Sequence, residues 1–241
     1  MDRSSFPPLR SLPRVFLPGL DAQQESYELP KEEVDKFRKV LRLDEGDQIA
    51  VLPNDGTLIR CEFRTKQAWP LATEHIETEP KHRVILAQAL PKADRIEIVL
   101  RMGTELGAVG FILFPAERSV VRWDEAKVQE KARRFNSIIR EAAEQSFRCI
   151  LPTLRFEKSL KNLMASYPNA LVLSESERAT KALARTADET VLVVGPEGGW
   201  APRETALIGD NGVTLGPLVL RTDTAGPAAI AALLLNSSPQ K

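Results

Sequence analysis

Apolar residues along this chain follow two different rhythms, and the changeover falls near residue 76. Before it the apolar runs are short and divided by turn chemistry: Arg14 to Leu17, Gln48 to Leu52 and Thr57 to Phe63, with Asn54-Asp55-Gly56 as a hairpin signal between the last two. One segment, Lys31 to Leu41, instead places Val34, Phe37 and Leu41 at helical spacing. Residues 1–76 are therefore expected to form a small β-barrel interrupted by one helix. Glu77-Thr78-Glu79-Pro80-Lys81 is a polar, proline-bearing linker over 77–81. From 82 to 241 strands and helices alternate. Strands are predicted at Val84–Leu90, Phe111–Phe114, Leu151–Arg155, Ala170–Leu173 and Thr190–Val194, with helices over Asp94–Leu106 and Asp124–Phe147. Such alternation predicts an α/β domain, a parallel sheet with helices on both faces.

Two Gly/Pro-punctuated loops stand out near the end of this pattern. Val191 to Val194 reads as a buried strand, Gly195-Pro196 breaks it, and Pro202-Arg203-Glu204 opens a helix with proline at its first position. The loop thus hangs at a strand's carboxyl end, where open α/β sheets bind ligands, and Gly195, Gly198 and Gly199 allow backbone groups to approach one closely. A plain turn is the competing reading of those glycines. Phosphate cradling is disfavoured: no lysine follows the glycines, and Glu197 sets a negative charge in the turn, which suits a neutral or cationic ligand. In the second loop, Leu215-Gly216-Pro217 follows a short strand from Val213 to Leu215. Thr222, Asp223 and Thr224 are then candidate N-caps for an apolar helix from Pro227 to Leu235.

Together these segments resemble one family. GPEGGW (Gly195–Trp200) and LGPLVLRTDTAG (Leu215–Gly226), each leading into a helix, are similar to the end of the SPOUT methyltransferases, specifically the RsmE-like enzymes that methylate N3 of a uridine in small-subunit ribosomal RNA. RMGTELGAVGFILFPAERSV (Arg101–Val120) and REAAEQSFRCILPTL (Arg140–Leu154) resemble further blocks of that family, in order, and VLRLDEGDQIAVLPNDG (Val40–Gly56) resembles its PUA-like RNA-binding barrel. The resemblance implies a trefoil-knotted carboxyl-terminal domain, a homodimer with the active site at the interface, and S-adenosyl-L-methionine as cofactor. It assigns the cofactor to Leu173 and Ser174, to Gly195, Pro196, Glu197, Gly198 and Gly199, to Leu215 and Gly216, and to Leu220, Arg221, Thr222, Thr224 and Ala225. It further implies a partner in small-subunit ribosomal RNA or the assembled 30S subunit. Four departures from the family pattern are visible: Met102 where a lysine is expected, Ala201 in place of a serine, Asp223 in place of a glutamate, and Gly226-Pro227 as an unusual start for the final helix.

Composition alters this picture little. The chain has 241 residues, 43% hydrophobic and 27% charged, enough to bury a sizeable core in one or two domains. Cys61 and Cys149 lack metal or redox spacing and two histidines are too few for a histidine-based metal site, so no metal is expected, and a reducing, cytoplasmic setting is. The apolar run Ala228–Leu235 is too short for a membrane span and the first twenty residues carry no secretory pattern. Charge is more informative. The net charge is zero, yet residues 81–161 carry 16 basic and 10 acidic side chains. Several of the cations, Arg133, Arg134 and Arg140 among them, fall on the predicted long helix opposite the stripe Val128, Phe135, Ile138, Ile139 and Ala142. A solvated helix face is one reading of them, and a grip on an RNA phosphate backbone is the other.

Methylating N3 of uridine is chemically demanding because the imide nitrogen is a poor nucleophile until its proton leaves or the anion is stabilised. Arg221, next to the cofactor loop, can stabilise that anion. Glu117-Arg118-Ser119 at a strand's carboxyl end offers an acid and a base. Glu141, Gln145 and Arg148, at i, i+4 and i+7, are expected on one side of the long helix. Arg118, Glu141 and Arg148 also read as members of a structural ion-pair network. The alternative to an active enzyme is an RNA-binding ribosome-assembly protein that has kept the fold and lost or changed its activity, which Met102 suggests.

Overall fold

The structure, a computed structural model, describes residues 7–21, 23–91, 95–175, 181–186 and 189–235, so the expected helix start at Asp94 lies outside it. The chain forms two compact units. The first comprises residues up to Glu79 together with Ala143–Leu151, and the second Pro80–Ala142 together with the chain from Pro152 onward.

In the first unit five strands, β1 (Arg14–Phe16), β2 (Tyr27–Glu28), β3 (Gln48–Leu52), β4 (Thr57–Arg64) and β5 (Gln67–His75), form one sheet in the order β1-β3-β4-β5-β2. β1 runs parallel to β3 and the other pairs are antiparallel. Residues alternate across β3: Ile49 and Val51 pack with Phe37, Ile59 and Phe63 on one face, while Ala50 and Leu52 pack with Phe16, Leu58, Ala143 and Cys149 on the other. Both faces are buried, so the polar face of a half-solvated strand is missing from the sequence pattern here. The helix expected over Lys31–Leu41 is α1 (Lys31–Asp35) continued as a π-helical turn over Lys36–Val40. There the backbone N–H of Leu41 reaches back to Lys36 O at 3.0 Å, and Leu41, expected on the buried face, is exposed.

The second unit holds seven parallel strands, β6 (Arg83–Ala89), β7 (Gly110–Phe114), β8 (Thr153–Phe156), β9 (Leu171–Leu173), β10 (Lys181–Ala182), β11 (Glu189–Val194) and β12 (Gly212–Thr214), in the order β10-β12-β9-β11-β6-β7-β8. Helices α2 (Arg95–Glu105), α3 (Glu125–Gln145), α4 (Leu160–Ser166), α5 (Pro202–Ile208) and α6 (Thr222–Leu234) cover it. The two-residue period of the strands sorts the core into two layers. Leu86, Phe111, Leu113, Leu192 and Val194 face α2, α3 and α6, while Ala87, Ile112, Phe114, Val191 and Val193 face α4 and α5. The α/β sheet with helices on both faces is as expected. Among the described residues no helix is long and apolar enough to cross a membrane.

Two helix boundaries correct the sequence reading. The last helix begins at Thr222, five residues before Pro227, and its N-cap is Arg221, which makes no side-chain capping bond. Pro227 lies within the helix, where it lacks an N–H for the carbonyl four residues earlier. The neighbouring Gly226 explains the close packing, since a Cβ there would stand 3.1 Å from Leu86 Cδ2. The long helix α3 stops at Gln145 rather than Phe147. Phe147 takes a positive φ of 65°, and the N–H of Arg148 returns to Ala143 O at 2.9 Å, the closing bond of a Schellman turn. Arg148 therefore does not continue the helical face of Glu141 and Gln145.

Candidate active site at the carboxyl ends of the central strands

β6 and β11 are neighbours at the middle of the second sheet, with β7 and β8 beyond β6 and β9 and β12 beyond β11. This reversal of strand order leaves a crevice at the strands' carboxyl ends. Gln88 and Ala89 close β6 there, and the Gly195–Trp200 loop begins at the end of β11.

That loop is built from close contacts. A Cβ on Gly195 would lie 2.9 Å from Trp200 Cε2, so the ring folds back directly over the glycine. Trp200 is fixed on two sides: its indole N–H donates to Leu173 O at 3.1 Å, and its ring stacks on Phe114 at 6.5 Å between centroids with planes 4° apart. The N–H of Gly199 donates to Pro196 O at 2.9 Å, and Gly199 holds a φ of 67° that side-chain-bearing residues avoid. Glu197 pairs with Arg95 at 3.7 Å. Arg118, in the loop after β7, donates to Gly198 O at 3.0 Å.

Helix α6 starts against this loop. The Thr222 hydroxyl, expected as a candidate cap of its own helix, instead donates to Gly195 O at 2.5 Å and receives a longer contact of 3.4 Å from Gln88 Nε2. Strand β6, the β11 loop and the start of α6 are thus joined through one side chain. Asp223 Oδ1 and Gln88 Oε1 are buried and have no hydrogen-bond partner among the described residues. Thr224 is exposed on the first turn and Ala225 is buried. On the other side, the N–H of Ser174 donates to Val213 O at 3.0 Å, which sets the loop after β9 beside the loop after β12. Gly216 has a φ of 131°, and Thr214 Oγ1 bonds to both its N–H and its carbonyl. Leu215 and Leu220 pack against the core, while Leu218 and Val219 between them are 78% and 75% exposed.

The residues expected at the cofactor site are therefore gathered on three loops at one edge of the sheet. Those expected in catalysis divide. Arg118 touches the Gly198 carbonyl, and Arg221 is exposed at the start of α6, its side chain making no hydrogen bond or ion pair among the described residues. Glu141 accepts from Ser137 Oγ at 3.1 Å on an exposed face of α3. Arg148 belongs to the first unit, where its buried guanidinium pairs with Glu79. Of the candidate RNA contacts, Arg134 pairs with Glu97 at 2.6 Å, Arg133 is exposed and Arg140 is half-buried. Met102 and Arg101 are exposed on α2.

The roles of two residues of this region, and one of the two roles of a third, escaped the sequence reading. Gln88 had a signal, a polar residue within the apolar run Val84–Leu90. Trp200 had none that distinguishes a lid over glycine from an ordinary core aromatic. Glu204 was legible as half a capping box, and its Oε2 indeed accepts the N–H of Ala201 at 3.1 Å. Its second role, accepting the Glu117 N–H at 2.9 Å from the β7 loop, depends on a partner 87 positions away. Among the described residues no three His, Cys, Asp or Glu side chains are grouped to hold a metal ion.

The RNA methyltransferase domain family matches residues 77–234, and the chain belongs to that family. Among curated proteins it is 34% identical over 228 residues to ribosomal RNA small subunit methyltransferase E of Bacillus subtilis, covering 86% of this chain and 89% of that one. It is 36% identical over 210 residues to the protein of the same name from Mycobacterium tuberculosis, covering 80% of each. A solved ribosomal RNA small subunit methyltransferase E from Neisseria gonorrhoeae, bound to S-adenosyl methionine, superposes with a TM-score of 0.83 at 27% identity, covering 92% of this chain and 96% of that one. A methyltransferase from Legionella pneumophila in complex with bound SAM gives 0.82 at 26%, with the same coverage.

Proposed function

We propose that this protein transfers a methyl group from S-adenosyl-L-methionine to N3 of a specific uridine in small-subunit ribosomal RNA. The observation that carries this reading is the Thr222–Gly195 hydrogen bond, which locks the start of α6 onto the glycine loop at the sheet's switch point. The residues there fit the cofactor. Leu173, Leu215 and Leu220 supply apolar surface for an adenine, and the glycines at 198, 199 and 216 leave backbone groups approachable, while Gly195 lies under the Trp200 ring. The buried carboxylate oxygen of Asp223, without a hydrogen-bond partner among the described residues, favours a cation such as a sulfonium, whereas Glu197 is already paired with Arg95. Pro196, Ser174, Thr222, Thr224 and Ala225 complete the lining. The cofactor supplies an electrophilic methyl group.

The chain's own residues then have two tasks. One is to hold the base so that N3 lies in line with the methyl group, where positioning alone is worth roughly 7 kcal/mol or more. The other is to stabilise the imide anion, for which Arg221 and Arg118 stand beside the loops. Arg148, buried against Glu79 in the first unit, fits the structural ion-pair reading instead, and Glu141, a carboxylate, does not stabilise an anion. The reading includes a homodimer, a knotted carboxyl-terminal domain, and a PUA-like amino-terminal barrel over 1–76 that grips the surrounding RNA in an assembled or partly assembled 30S subunit, helped by Arg133, Arg134 and Arg140. The resemblance of the sequence blocks supports all of these, and a cytoplasmic setting follows from the substrate.

Methyl transfer to small ribosomal subunits from cells lacking the protein, followed by mass mapping of the RNA, tests this. The expected product is a single N3-methyluridine, with free uridine left unmodified. A ribose or guanine methylation would overturn the uridine assignment, and absence of transfer together with absence of AdoMet binding by calorimetry would overturn the enzyme.

A further inference from the structure

Beside the glycine loop, the second unit has a separate cleft of about 560 Å³, within the range of small-molecule sites. It lies between the loops after β7 and β8 and the start of α5, and four cations line it: Arg122, Lys158, Lys161 and Arg203. None of the four has an ion-pair or hydrogen-bond partner for its side chain among the described residues. On the open face of α3, by contrast, Lys127 is taken up by Glu130 at 2.8 Å and Arg134 by Glu97 at 2.6 Å. Two acids also reach the cleft, Glu117 and Glu204, but both Glu204 oxygens are already occupied by the backbone N–H groups of Glu117 and Ala201. With four cations against two carboxylates, the cleft keeps a net positive charge.

An aromatic ring completes it. Trp123 lines the cleft and is braced from behind by Phe135 and Phe156, with ring centroids 5.9 and 6.4 Å away, so it is held as a fixed surface. Cations that track phosphates together with a fixed aromatic that stacks a base are the means by which proteins hold single-stranded nucleic acid. The cleft shares the β7 loop with the cofactor crevice, because Glu117 bonds to Glu204 while the next residue, Arg118, bonds to Gly198 of the glycine loop. We infer that this cleft holds a nucleotide of the RNA flanking the methylated base, with its phosphates on Lys158, Lys161, Arg203 and Arg122 and its base on Trp123. This rests on the reading of RNA as the substrate.

The test compares the full chain with the Lys158→Ala/Lys161→Ala/Arg203→Ala variant, using a fluorescent single-stranded oligouridylate, with 4-thiouridine at one position for photo-crosslinking. All three substituted residues are exposed, so the fold should persist, and AdoMet affinity by calorimetry should stay within about twofold because no residue of the proposed cofactor lining is changed. The inference expects a fall in oligouridylate affinity of about tenfold or more, a slope of log K against log salt reduced by about 2, since each single-strand phosphate contact contributes about 0.7, and a crosslink on the peptide carrying Trp123. Unchanged affinity and slope, or crosslinks confined to other peptides, would overturn it. So would equal binding of the parent to an abasic strand of the same length. Methyl transfer by the parent to small subunits is measured separately. If the parent methylates and the variant binds RNA normally, the cleft assignment fails alone; if the parent never methylates yet the variant loses RNA, the enzyme reading fails and the cleft stands as a single-stranded RNA site without a methylated base beside it.

Discussion

The buried cations of the first unit and the cations at the carboxyl edge of the second unit's sheet are treated in opposite ways. In the first, buried or half-buried cations are tied down: Arg148 to Glu79, Lys36 to Glu144 and Glu33, and Arg60 to Gln48 and the Pro7 carbonyl. Arg14 donates to Glu144 O at 2.7 Å and lies 4.2 Å over the Phe147 ring. In the second unit, Arg122, Lys158, Lys161, Arg203 and Arg221 stand exposed at the carboxyl edge of the sheet with no side-chain partner among the described residues. Paired charges of the first kind hold a local shape, and losing one partner strands the other in a poor dielectric. Unpaired charges of the second kind contribute little to stability and remain available to a ligand. Stability defects and binding defects should therefore separate by unit.

The largest effect expected is on the first side of that comparison. Arg148→Ala leaves Glu79 without its buried partner and should destabilise the protein by about 3 kcal/mol in urea unfolding, whereas Arg203→Ala should stay within about 0.5 kcal/mol. Equal losses for the two would erase the contrast. Next, Arg221→Ala should lower kcat for methyl transfer about a hundredfold with AdoMet affinity near that of the parent, as expected of a group acting on developing charge. A rise in KM alone would make it a binding residue instead.

Gly195→Ala drives a methyl group to 2.9 Å from the Trp200 ring, and should cost roughly 2 kcal/mol while opening the tryptophan lid, visible as a shift in its fluorescence and a weaker AdoMet Kd. Thr222→Val keeps the shape and removes the hydroxyl donated to Gly195, so a loss of about 1 kcal/mol is expected, with helix content by circular dichroism unchanged. A fully parental AdoMet Kd in both variants would dissolve the proposed role of this junction.

The smallest effect belongs to Cys61, whose thiol is pushed up to about 12 by burial in the first unit's core. A thiol raised in the folded state contributes stability that is complete below its ordinary value of 9.0 and is lost as pH rises toward 12. Between pH 6 and 8 unfolding should therefore show no dependence on this group, and alkylation of Cys61 should track global unfolding. Rapid labelling of the native protein at pH 8 would contradict its burial.

Much of the second unit was legible because its signals are local. Val191–Val194 followed by Gly-Pro marks a strand and its end, and Pro202 with Glu204 marks a helix start, whatever lies elsewhere in the chain. The final helix was misread for an equally physical reason. Thr222, Asp223 and Thr224 have the chemistry of N-caps, and a proline usually opens a helix, but Thr222 spends its hydroxyl on Gly195 and Pro227 sits inside α6, where Gly226 lets the helix lie close on Leu86. The strand β5 went unnoticed because its mixed polar pattern, Gln67 to His75, carries its pairing with β4 rather than an apolar run of its own.

The amino-acid sequence by itself thus determined the period of the longer apolar strands and of the long helices, the two glycine-bearing loops and the family to which those loops point, since each depends on residues a few positions apart. Tertiary structure alone decided that Ala143–Leu151 joins the first unit, that Gln88, Gly195 and Thr222 meet at one junction, and that four cations from three distant segments surround one cleft. Those outcomes depend on strand order and on which charges find partners after packing, and nothing in the local spacing of side chains encodes either.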